Sequence, residues 1–214
     1  MYKRQARSLV GWELVATARP NAAHLALSEL EQRGWLRLLI TQNVDGLHSL
    51  AGSRRAIDLH GRIDRVVCLA CGVLSPRASL QTRLIARNPN FVTRGGVARA
   101  DGDVELDAAD YDRFQVLGCE GCGGILKPDV VFFGENVPAQ RVGEAMGALT
   151  GARALLIVGS SLMVFSGFRF ARAAARLKLP IAVINRGKTR ADELAAIKLA
   201  GGAGELLERA LASS

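Results

Sequence analysis

The sequence predicts an α/β protein in which helices cover both faces of a parallel sheet and a small metal-binding module is attached. Two observations carry this prediction. Short strands that are apolar throughout alternate with helical segments over much of the chain, as in a parallel sheet that is buried on both faces. Four cysteines form two C-x-x-C pairs, which are typical of zinc knuckles.

Composition and charge narrow the classes of protein that this chain can belong to. The 214 residues are 49% hydrophobic and 22% charged, which excludes disordered, collagen-like and coiled-coil chains. The net charge is +8, but the basic residues form no run typical of a nucleic-acid-binding tail, and only 5% of residues are aromatic. We therefore expect no specific nucleic-acid partner.

The sequence predicts neither a membrane span nor a secretory signal. No apolar run reaches the roughly 18 to 20 residues that a membrane span needs, and the first residues lack the apolar stretch of a signal peptide. We expect no membrane partner and a reducing compartment, which is cytoplasmic in a bacterium or mitochondrial in a eukaryote.

The first half of the chain contains one helix followed by one strand. Asn21 is a suitable N-cap for a helix with apolar residues at helical spacing from Ala22 to Leu30, and Gly34 can end this helix. Residues 36–40 (LRLLI) are predicted to form a short strand.

The second half continues the alternation. We predict helices at about residues 139–149, 167–177 and 205–211, and apolar strands at residues 154–158 and 181–184. Because strands alternate with helices, they are expected to run parallel, and ligands of such sheets gather at the carboxyl ends of the strands.

The cysteine pairs are Cys68 with Cys71 and Cys119 with Cys122, each followed by a glycine. In this spacing two thiolates from one tight turn can face the same ion, and four thiolates complete the tetrahedral coordination of Zn²⁺. Two structural or redox pairs are the alternative, but a reducing compartment with no cysteine left over favours zinc. Because no position remains for a catalytic water, the predicted zinc is structural.

The 47 residues between the two cysteine pairs exceed the usual spacing of a zinc ribbon. Residues 76–112 contain two prolines and two adjacent glycines, followed by six acidic residues between Asp101 and Asp112. We predict that they form a solvated, irregular excursion from the cysteine module.

Polar segments follow three predicted strands, at residues 41–48 (TQNVDGLH), 159–161 (GSS) and 185–187 (NRG). Strand ends are where a parallel sheet builds its ligand site, and small residues with free N–H groups suit a phosphate or a ribose. The candidate side chains are Gln42, Asn43, Asp45, His48 and, further along the chain, His60.

Each candidate also has a plainer interpretation. Asn43 and Asp45 fit a simple turn before Gly46 equally well, and residues 159–161 fit a plain connection between a strand and a helix. A lone histidine is more often a packed or surface residue than a catalyst. His60, however, precedes a glycine at the boundary between two predicted modules, where clefts form.

Together these motifs resemble those of the sirtuins in order and spacing, over about residues 10–211. The resemblance is carried by residues 41–48, 59–61 (LHG), the cysteine pairs, 127–135 (KPDVVFFGE), 158–162 (VGSSL) and 184–187 (INRG). Residues 19–24 (RPNAAH), 51–55 (AGSRR) and 166–170 (SGFRF) are similar to the class II branch, the one that resembles the mitochondrial sirtuin 4 of animals.

The resemblance implies a Rossmann-like NAD-binding fold and NAD-dependent removal of an acyl group from lysine. NAD is the co-substrate, acyl-lysine proteins or peptides are the partners, and one structural Zn²⁺ is expected per chain. In the family mechanism the acyl oxygen attacks C1′ of the nicotinamide ribose, and nicotinamide leaves. A histidine-assisted ribose hydroxyl then attacks the imidate, which yields O-acyl-ADP-ribose and free lysine.

The resemblance also assigns roles to residues of this chain. His60 matches the general base, and an imidazole suits the removal of a hydroxyl proton at neutral pH. Asp45 matches the residue that holds the nicotinamide carboxamide. The remaining residues expected to contact NAD are Gln42, Asn43, Gly159, Ser160, Ser161, Asn185, Arg186 and Ala203. The acyl-lysine peptide is expected to lie beside a strand formed by Val131, Phe132, Phe133 and Gly134.

The chain departs from the family at its start. The glycine-rich G-A-G-x-S motif and the G-I-P-D-[FY]-R segment of sirtuins do not occur in the sequence, and residues 1–5 (MYKRQ) do not resemble the family. We expect the sequence to be N-terminally incomplete, without the first strand and its pyrophosphate-binding turn. Whether this chain is active by itself therefore stays open.

The sequence predicts three parts. Residues 35–62 and 125–214 form the Rossmann-like domain, residues 63–124 the zinc module, and residues 1–34 a helical small-domain segment with the helix after it. Two alternative functions remain. One is a catalytically inactive sirtuin-like scaffold, and the other is a zinc-stabilised nucleic-acid-binding module, which leaves the polar strand ends unexplained.

Overall fold

The computed structural model describes residues 2–91, 111 and 113–212. Its helices are α1 (Tyr2–Thr17), α2 (Ala22–Gln32), α3 (Leu47–Leu50), α4 (Arg77–Arg87), α5 (Ala139–Thr150), α6 (Phe165–Arg176) and α7 (Ala203–Ala212). Its strands are β1 (Leu39–Thr41), β2 (Ala56–Asp58), β3 (Gly61–Cys68), β4 (Leu74–Pro76), β5 (Leu126–Val130), β6 (Leu155–Val158), β7 (Ile181–Ile184) and β8 (Ile197–Leu199). None of the described helices combines the length and the apolar character needed to cross a bilayer.

Contacts divide the chain into two units. The cysteine unit comprises residues 1–18 and 61–130, and the sheet unit comprises residues 19–60 and 131–214. Residues 1–34, grouped together on sequence, are therefore split between the units. The physical reason is packing, since α1 contacts α4 in the cysteine unit whereas α2 lies against α7 in the sheet unit.

The cysteine unit is built on an antiparallel sheet in the order β4–β3–β5. Val66 in the middle strand lies opposite Ser75 on one side and Pro128 on the other. Apolar side chains of α1 and α4 pack with this sheet in one core, which includes Leu9, Val66 and Leu84. The core reaches Cys68, the last residue of β3, whose side chain it buries.

The predicted irregular excursion is wrong for its first part, because Arg77–Arg87 form α4. Leu80 and Leu84 lie one helical turn apart and are 5% and 0% exposed, so they give the helix a buried face. Pro76 precedes the first helical residue, where a missing N–H group does no harm. The acidic part of the excursion lies outside the described residues, apart from residue 111.

The strands of the sheet unit run parallel, as predicted. In one sheet β1 pairs with β2, and Ile40 lies opposite Ile57. In the other sheet the order is β6–β7–β8, and Ile157 lies opposite Val183. Within the described ranges no strand joins β1 to β6, so the parallel strands form two sheets.

Helices cover both faces of the β6–β7–β8 sheet. Val183 belongs to an apolar cluster with α5 and α6, whereas the next residue, Ile184, belongs to a second cluster with α2 and α7. Successive residues of a strand point to opposite faces, so each cluster lies on its own face. Helices α2 and α7 approach closely, because a Cβ atom on Gly204 would lie 2.8 Å from Ala22 Cβ.

The predicted helix from Ala22 is confirmed. The Asn21 side chain accepts hydrogen bonds from the backbone N–H groups of Ala23 and His24, which satisfies the first turn of α2. The strand predicted at residues 36–40 is wrong in position, since β1 spans Leu39–Thr41. The N–H of Leu36 instead donates to Leu30 O at 3.1 Å and helps to close the end of α2.

Candidate active site and metal centre

The four cysteines converge within the cysteine unit. All four Sγ atoms lie within 4.8 Å of one another, with 3.5 Å between those of Cys68 and Cys122 and 3.8 Å between those of Cys71 and Cys119. In a tetrahedral site with Zn–S bonds of about 2.3 Å, neighbouring sulfur atoms lie about 3.8 Å apart. The cluster therefore suits a zinc ion held by four thiolates.

Two glycine-containing turns present these thiolates. Gly72 and Gly123 follow the second cysteine of each pair and have φ angles of +71° and +70°, a conformation that glycine adopts most easily. A Cβ atom on Gly124 would lie 2.9 Å from Cys68 Sγ, so a larger residue there would press on the metal-binding sulfur. The backbone N–H of Cys71 lowers the pKa of the Cys68 thiol to about 6. The N–H of Gly124 acts in the same direction on Cys122, but the side chains of Cys68 and Cys71 outweigh it and raise the pKa of Cys122 to about 12, so without a metal the two neighbouring sulfurs do not both ionise.

Replacing Cys119 with serine is expected to abolish zinc binding and to unfold the cysteine unit. Four thiolates bind zinc with an apparent free energy on the order of 10 kcal/mol, which contributes directly to folding. Metal analysis of protein purified without chelator should give one zinc per wild-type chain and none in the variant. A wild-type protein without zinc would contradict the assignment.

His60 lies two residues beyond β2 and has a polar partner at each ring nitrogen. Nδ1 is 2.9 Å from the backbone oxygen of Gln42, and Nε2 is 2.8 Å from Ser166 Oγ. A carbonyl oxygen can only accept, so Nδ1 carries the proton and Nε2 presents a lone pair. Burial lowers the pKa of His60, although the bond to Gln42 partly opposes this effect. At neutral pH the ring is therefore an uncharged base.

Gln42 ties the end of β1 to the turn after β6. Its side-chain Nε2 donates to Ser160 Oγ at 3.0 Å, and the same oxygen accepts from the N–H of Leu162 at 3.3 Å. Gly167 in α6 lies against the Gln42 amide, since a Cβ atom there would come within 2.5 Å of it. The ends of β1, β2 and β6 thus meet around Gln42 and His60.

Asp45 and Asn43 form a turn before Gly46, which was the plainer interpretation of their sequence. Asp45 Oδ1 accepts from the N–H of Leu47 at 2.9 Å and so supports the start of α3. The N–H of Asn43 donates to Thr41 Oγ1 at 3.1 Å, and its side chain is exposed. The turn does not exclude a ligand contact, because among the described residues the Asn43 side-chain amide makes no hydrogen bond and can still bind a ligand.

His48 has a different environment from His60. Its ring lies in α3 and packs on the ring of His24, with centroids 4.5 Å apart. Its Nδ1 is buried without a hydrogen-bond partner among the residues that the structure describes. These contacts indicate a packing role for His48.

The other predicted cofactor contacts follow the ends of β6, β7 and β8. Gly159, with a φ angle of +60°, donates its N–H to Ile184 O at 2.9 Å. The Asn185 side chain donates to Gly187 O at 3.0 Å. Ser161 follows Ser160, Arg186 follows Asn185, and Ala203 is the first residue of α7. The sheet unit thus collects all of the predicted cofactor contacts at or just beyond carboxyl ends of its parallel strands.

The predicted strand at Val131–Gly134 is wrong. Strand β5 ends at Val130, and the following residues turn, because the N–H of Phe132 donates to Glu135 Oε2 at 3.0 Å and the N–H of Glu135 donates to Phe132 O at 2.9 Å. Phe133 at this turn is 100% exposed. Val131 keeps a link to the site, since its N–H donates to His60 O at 2.8 Å.

Sequence reasoning did not assign Ser166 and Gly167 to the site. Both lie in the first turn of α6, 106 residues or more from His60 in sequence. The available signal was a small polar residue beside a glycine shortly after the polar end of a strand. This signal alone does not indicate which side chain the serine contacts.

The histidines also predict how stability depends on pH. Burial lowers the pKa of His24, His48 and His60 below the ordinary value of 6.5, and His24 lowers that of His48 further. Asp45 acts in the opposite direction on His24 and His48. Between the folded and unfolded pKa values the unfolded chain binds more protons, so folding is favoured above pH 6.5 and loses stability as the pH falls.

We therefore expect the urea midpoint of the sheet unit to fall when the pH is lowered from 7.5 towards 5.5. Backbone circular dichroism is a suitable measurement, because it follows the loss of helix and strand as urea is added. Replacing His48 with glutamine should reduce the pH dependence, because one of the shifted groups is removed. A midpoint that rises on acidification would contradict this prediction.

Comparison with known proteins gives one consistent result. A model described as the Sir2 family matches residues 2–166. An NAD-dependent protein deacetylase of Bordetella bronchiseptica is 54% identical over 202 residues, which are 94% of this chain and 74% of that protein. One of Xanthomonas campestris pv. campestris is 56% identical over 194 residues, which are 91% of this chain and 66% of that protein.

Solved structures agree with this result. A complex described as Sir2 with a p53 peptide and NAD⁺ has a TM-score of 0.74 and 28% identity, covering 93% of this chain and 72% of the other. A Sir2 complex with an inhibitor, 2′-O-acetyl-ADP-ribose and a deacetylated p53 peptide has a TM-score of 0.74 and 27% identity, covering 93% of this chain and 74% of the other. The match extends over both units.

Proposed function

Since the chain belongs to the Sir2 family, we propose that it is an NAD-dependent protein-lysine deacylase. The observation that carries the proposal is the neutral imidazole of His60, whose unprotonated Nε2 lies where three strand ends meet. A positioned base with a pKa below its ordinary value remains ready to accept a proton at neutral pH. The geometry suits the removal of a proton from a ribose hydroxyl.

NAD is proposed to bind along the carboxyl ends of the parallel strands. Small residues at positions 159–161 leave room for a ribose or phosphate, and the side chains of Asn185 and Arg186 suit the adenosine end. Asp45 is proposed to accept hydrogen bonds from the nicotinamide carboxamide. The relatives named NAD-dependent protein deacetylase and the Sir2 complex with NAD⁺ support this cofactor.

The proposed substrate is an acyl-lysine protein or peptide, as in the Sir2 structures solved with acetylated and deacetylated peptides. The turn at residues 131–134 remains our proposed contact for the peptide. Its link to the site through Val131 and the full exposure of Phe133 support this role. The zinc at the cysteine cluster is proposed to stabilise the fold without entering the chemistry.

We assign the chain to the class II branch on its RPNAAH, AGSRR and SGFRF segments. The sequence leads us to expect the cytoplasm for a bacterial chain and the mitochondrion for a eukaryotic one, and we propose the former because the relatives that we compared are bacterial proteins.

An inactive sirtuin-like scaffold is the second candidate. The observation that favours it is the pair of unjoined parallel sheets in the described part of the sheet unit. The nucleic-acid-binding module is not favoured, because the relatives at more than 50% identity are named deacetylases.

The decisive experiment measures nicotinamide release from NAD in the presence of an acetyl-lysine peptide. It uses the chain as printed and an extended chain, in which a G-A-G-x-S segment of the type expected in sirtuins precedes residue 1. The unacetylated peptide is the control. Release that requires the acetyl group supports the deacylase, whereas no release from either chain supports the scaffold.

A further inference from the structure

We propose that Ser166 is a positioning residue that holds His60 in its working orientation. The inference rests on the proposed function, because it concerns the same imidazole. Ser166 Oγ lies 2.8 Å from His60 Nε2, the nitrogen that the bond to Gln42 leaves unprotonated. The serine hydroxyl therefore donates its proton towards the lone pair that acts as the base.

In the described part of the chain, Ser166 does not make the contact that a serine near the start of a helix usually makes, a hydrogen bond to the backbone. Ser166 is the second residue of α6, where a hydroxyl commonly bonds to the backbone at the start of the helix. The N-cap position of α6 is Val164, and the helix start has no side-chain cap. Within the described ranges the bond to His60 is the hydrogen bond of the Ser166 hydroxyl.

Two bonds on opposite sides of the ring restrain it more than one does. The bond from Nδ1 to Gln42 O alone leaves the imidazole able to tilt about that contact. The second bond, from the Ser166 hydroxyl, fixes the direction in which the Nε2 lone pair points. Ser166 is only 8% exposed, so water competes poorly for its hydroxyl.

The same helical turn also controls the other partner of His60. Gly167 follows Ser166, and a Cβ atom there would lie 2.5 Å from the Gln42 side-chain amide. A larger residue at position 167 would make the end of the Gln42 side chain shift. The turn therefore contacts His60 through Ser166 and lies against the side chain of Gln42, the residue whose backbone oxygen is the other partner of His60.

The hydroxyl acts without forming or breaking a covalent bond to the substrate. In the resting site it donates to Nε2, and an arriving ribose hydroxyl takes its place as the donor. The Ser166 O–H then rotates about its C–O bond and keeps its own proton, and its oxygen stays beside Nε2 as an acceptor for the N–H formed there, so the contact persists through the proton transfer. The proton removed from the ribose goes to Nε2, so the base and the positioning residue stay distinct.

The kinetic test compares Ser166→Ala with Ser28→Ala in the extended chain. Ser28 is a matched control, because it is a buried helical serine with a side-chain partner, accepting from Gln32 Nε2 at 3.4 Å in α2. We expect Ser166→Ala to lower kcat about three- to tenfold with KM for NAD unchanged, the effect of losing one hydrogen bond. Ser166→Thr, which keeps the hydroxyl, should recover part of this loss, and Ser28→Ala should leave kcat unchanged.

Nitrogen NMR of the imidazole rings tests the contact independently of turnover. The chain has three histidines, so the His60 signals can be assigned with one variant. At neutral pH we expect a proton on Nδ1 and an unprotonated Nε2 in the wild-type protein. Removing the donated bond in Ser166→Ala should move the Nε2 resonance downfield, and Ser28→Ala should not move it.

The outcomes separate this inference from the proposed function. An Nε2 resonance that Ser166→Ala leaves in place overturns the inference, as does a wild-type spectrum with the proton on Nε2. If Ser166→Ala does not fold, the wild-type spectrum and the Ser166→Thr variant decide instead. If the resonances behave as expected but nicotinamide release does not depend on the acetyl group, the contact between Ser166 and His60 is confirmed and the proposed deacylase function is rejected.

Discussion

Replacing His60 with alanine is expected to abolish deacylation while NAD affinity changes by no more than a few-fold. The imidazole Nε2 is the proposed base for the ribose hydroxyl, and its work follows cofactor binding. Removing a positioned general base lowers the rate by about 10²- to 10⁴-fold. Nicotinamide release and O-acyl-ADP-ribose formation measure turnover in the extended chain, and titration of NAD measures affinity.

His48→Ala is the matched control for this prediction. His48 packs on His24 in the same unit, and the structure gives its ring no hydrogen bond at Nδ1 among the described residues. Its replacement should lower the free energy of unfolding more than it lowers turnover. Equal losses of turnover in the two variants would show that His60 is not the specific base.

Joining the two parallel sheets is expected to have a large effect on self-association and on deacylation. In the described part of the chain β1 pairs only with β2 and β6 only with β7, so each leaves a row of backbone N–H and C=O groups without a strand partner. Leu156 in β6 is 38% exposed. Unpaired edges and exposed apolar groups carry free-energy costs that compare with the ~5 to 15 kcal/mol stability of a whole domain.

We therefore expect the chain as printed to self-associate and to show no NAD-dependent deacylation. If the added segment forms a strand that pairs with the edges of β1 and β6, the extended chain should elute as a smaller species and release nicotinamide. Size-exclusion chromatography and the nicotinamide assay measure the two effects. A scrambled segment of equal length is the control, and equal turnover with and without the segment would reject this account.

Short-range chemistry made several features predictable from the sequence. The cap at Asn21 and the apolar spacing that follows it define α2, because capping and helical periodicity act within a few residues. The β7 strand was predicted with its observed bounds, since four apolar residues follow a proline. The cysteine spacing likewise indicated the metal site, since each pair forms within one local turn.

Two errors arose where local signals conflict with later contacts. The excursion from residue 76 was judged by its prolines and acidic residues, but Leu80 and Leu84 stabilise α4 by packing against the cysteine unit's core. The segment Val131–Gly134 has apolar residues typical of a strand, yet Glu135 accepts from the N–H of Phe132 and closes a turn. In both segments the structure is decided by residues other than those on which the prediction was based.

The sequence by itself determined the family and predicted the cysteine cluster and a candidate histidine at the strand end. Only the tertiary structure decided how His60 is held. Gln42 lies 18 residues from His60 and Ser166 lies 106 residues away, and no periodicity connects positions so far apart. Their meeting depends on the packing of α6 against the strand ends, where Gly167 lies against the Gln42 side chain. The tautomer and orientation of the base are thus properties of the packed fold.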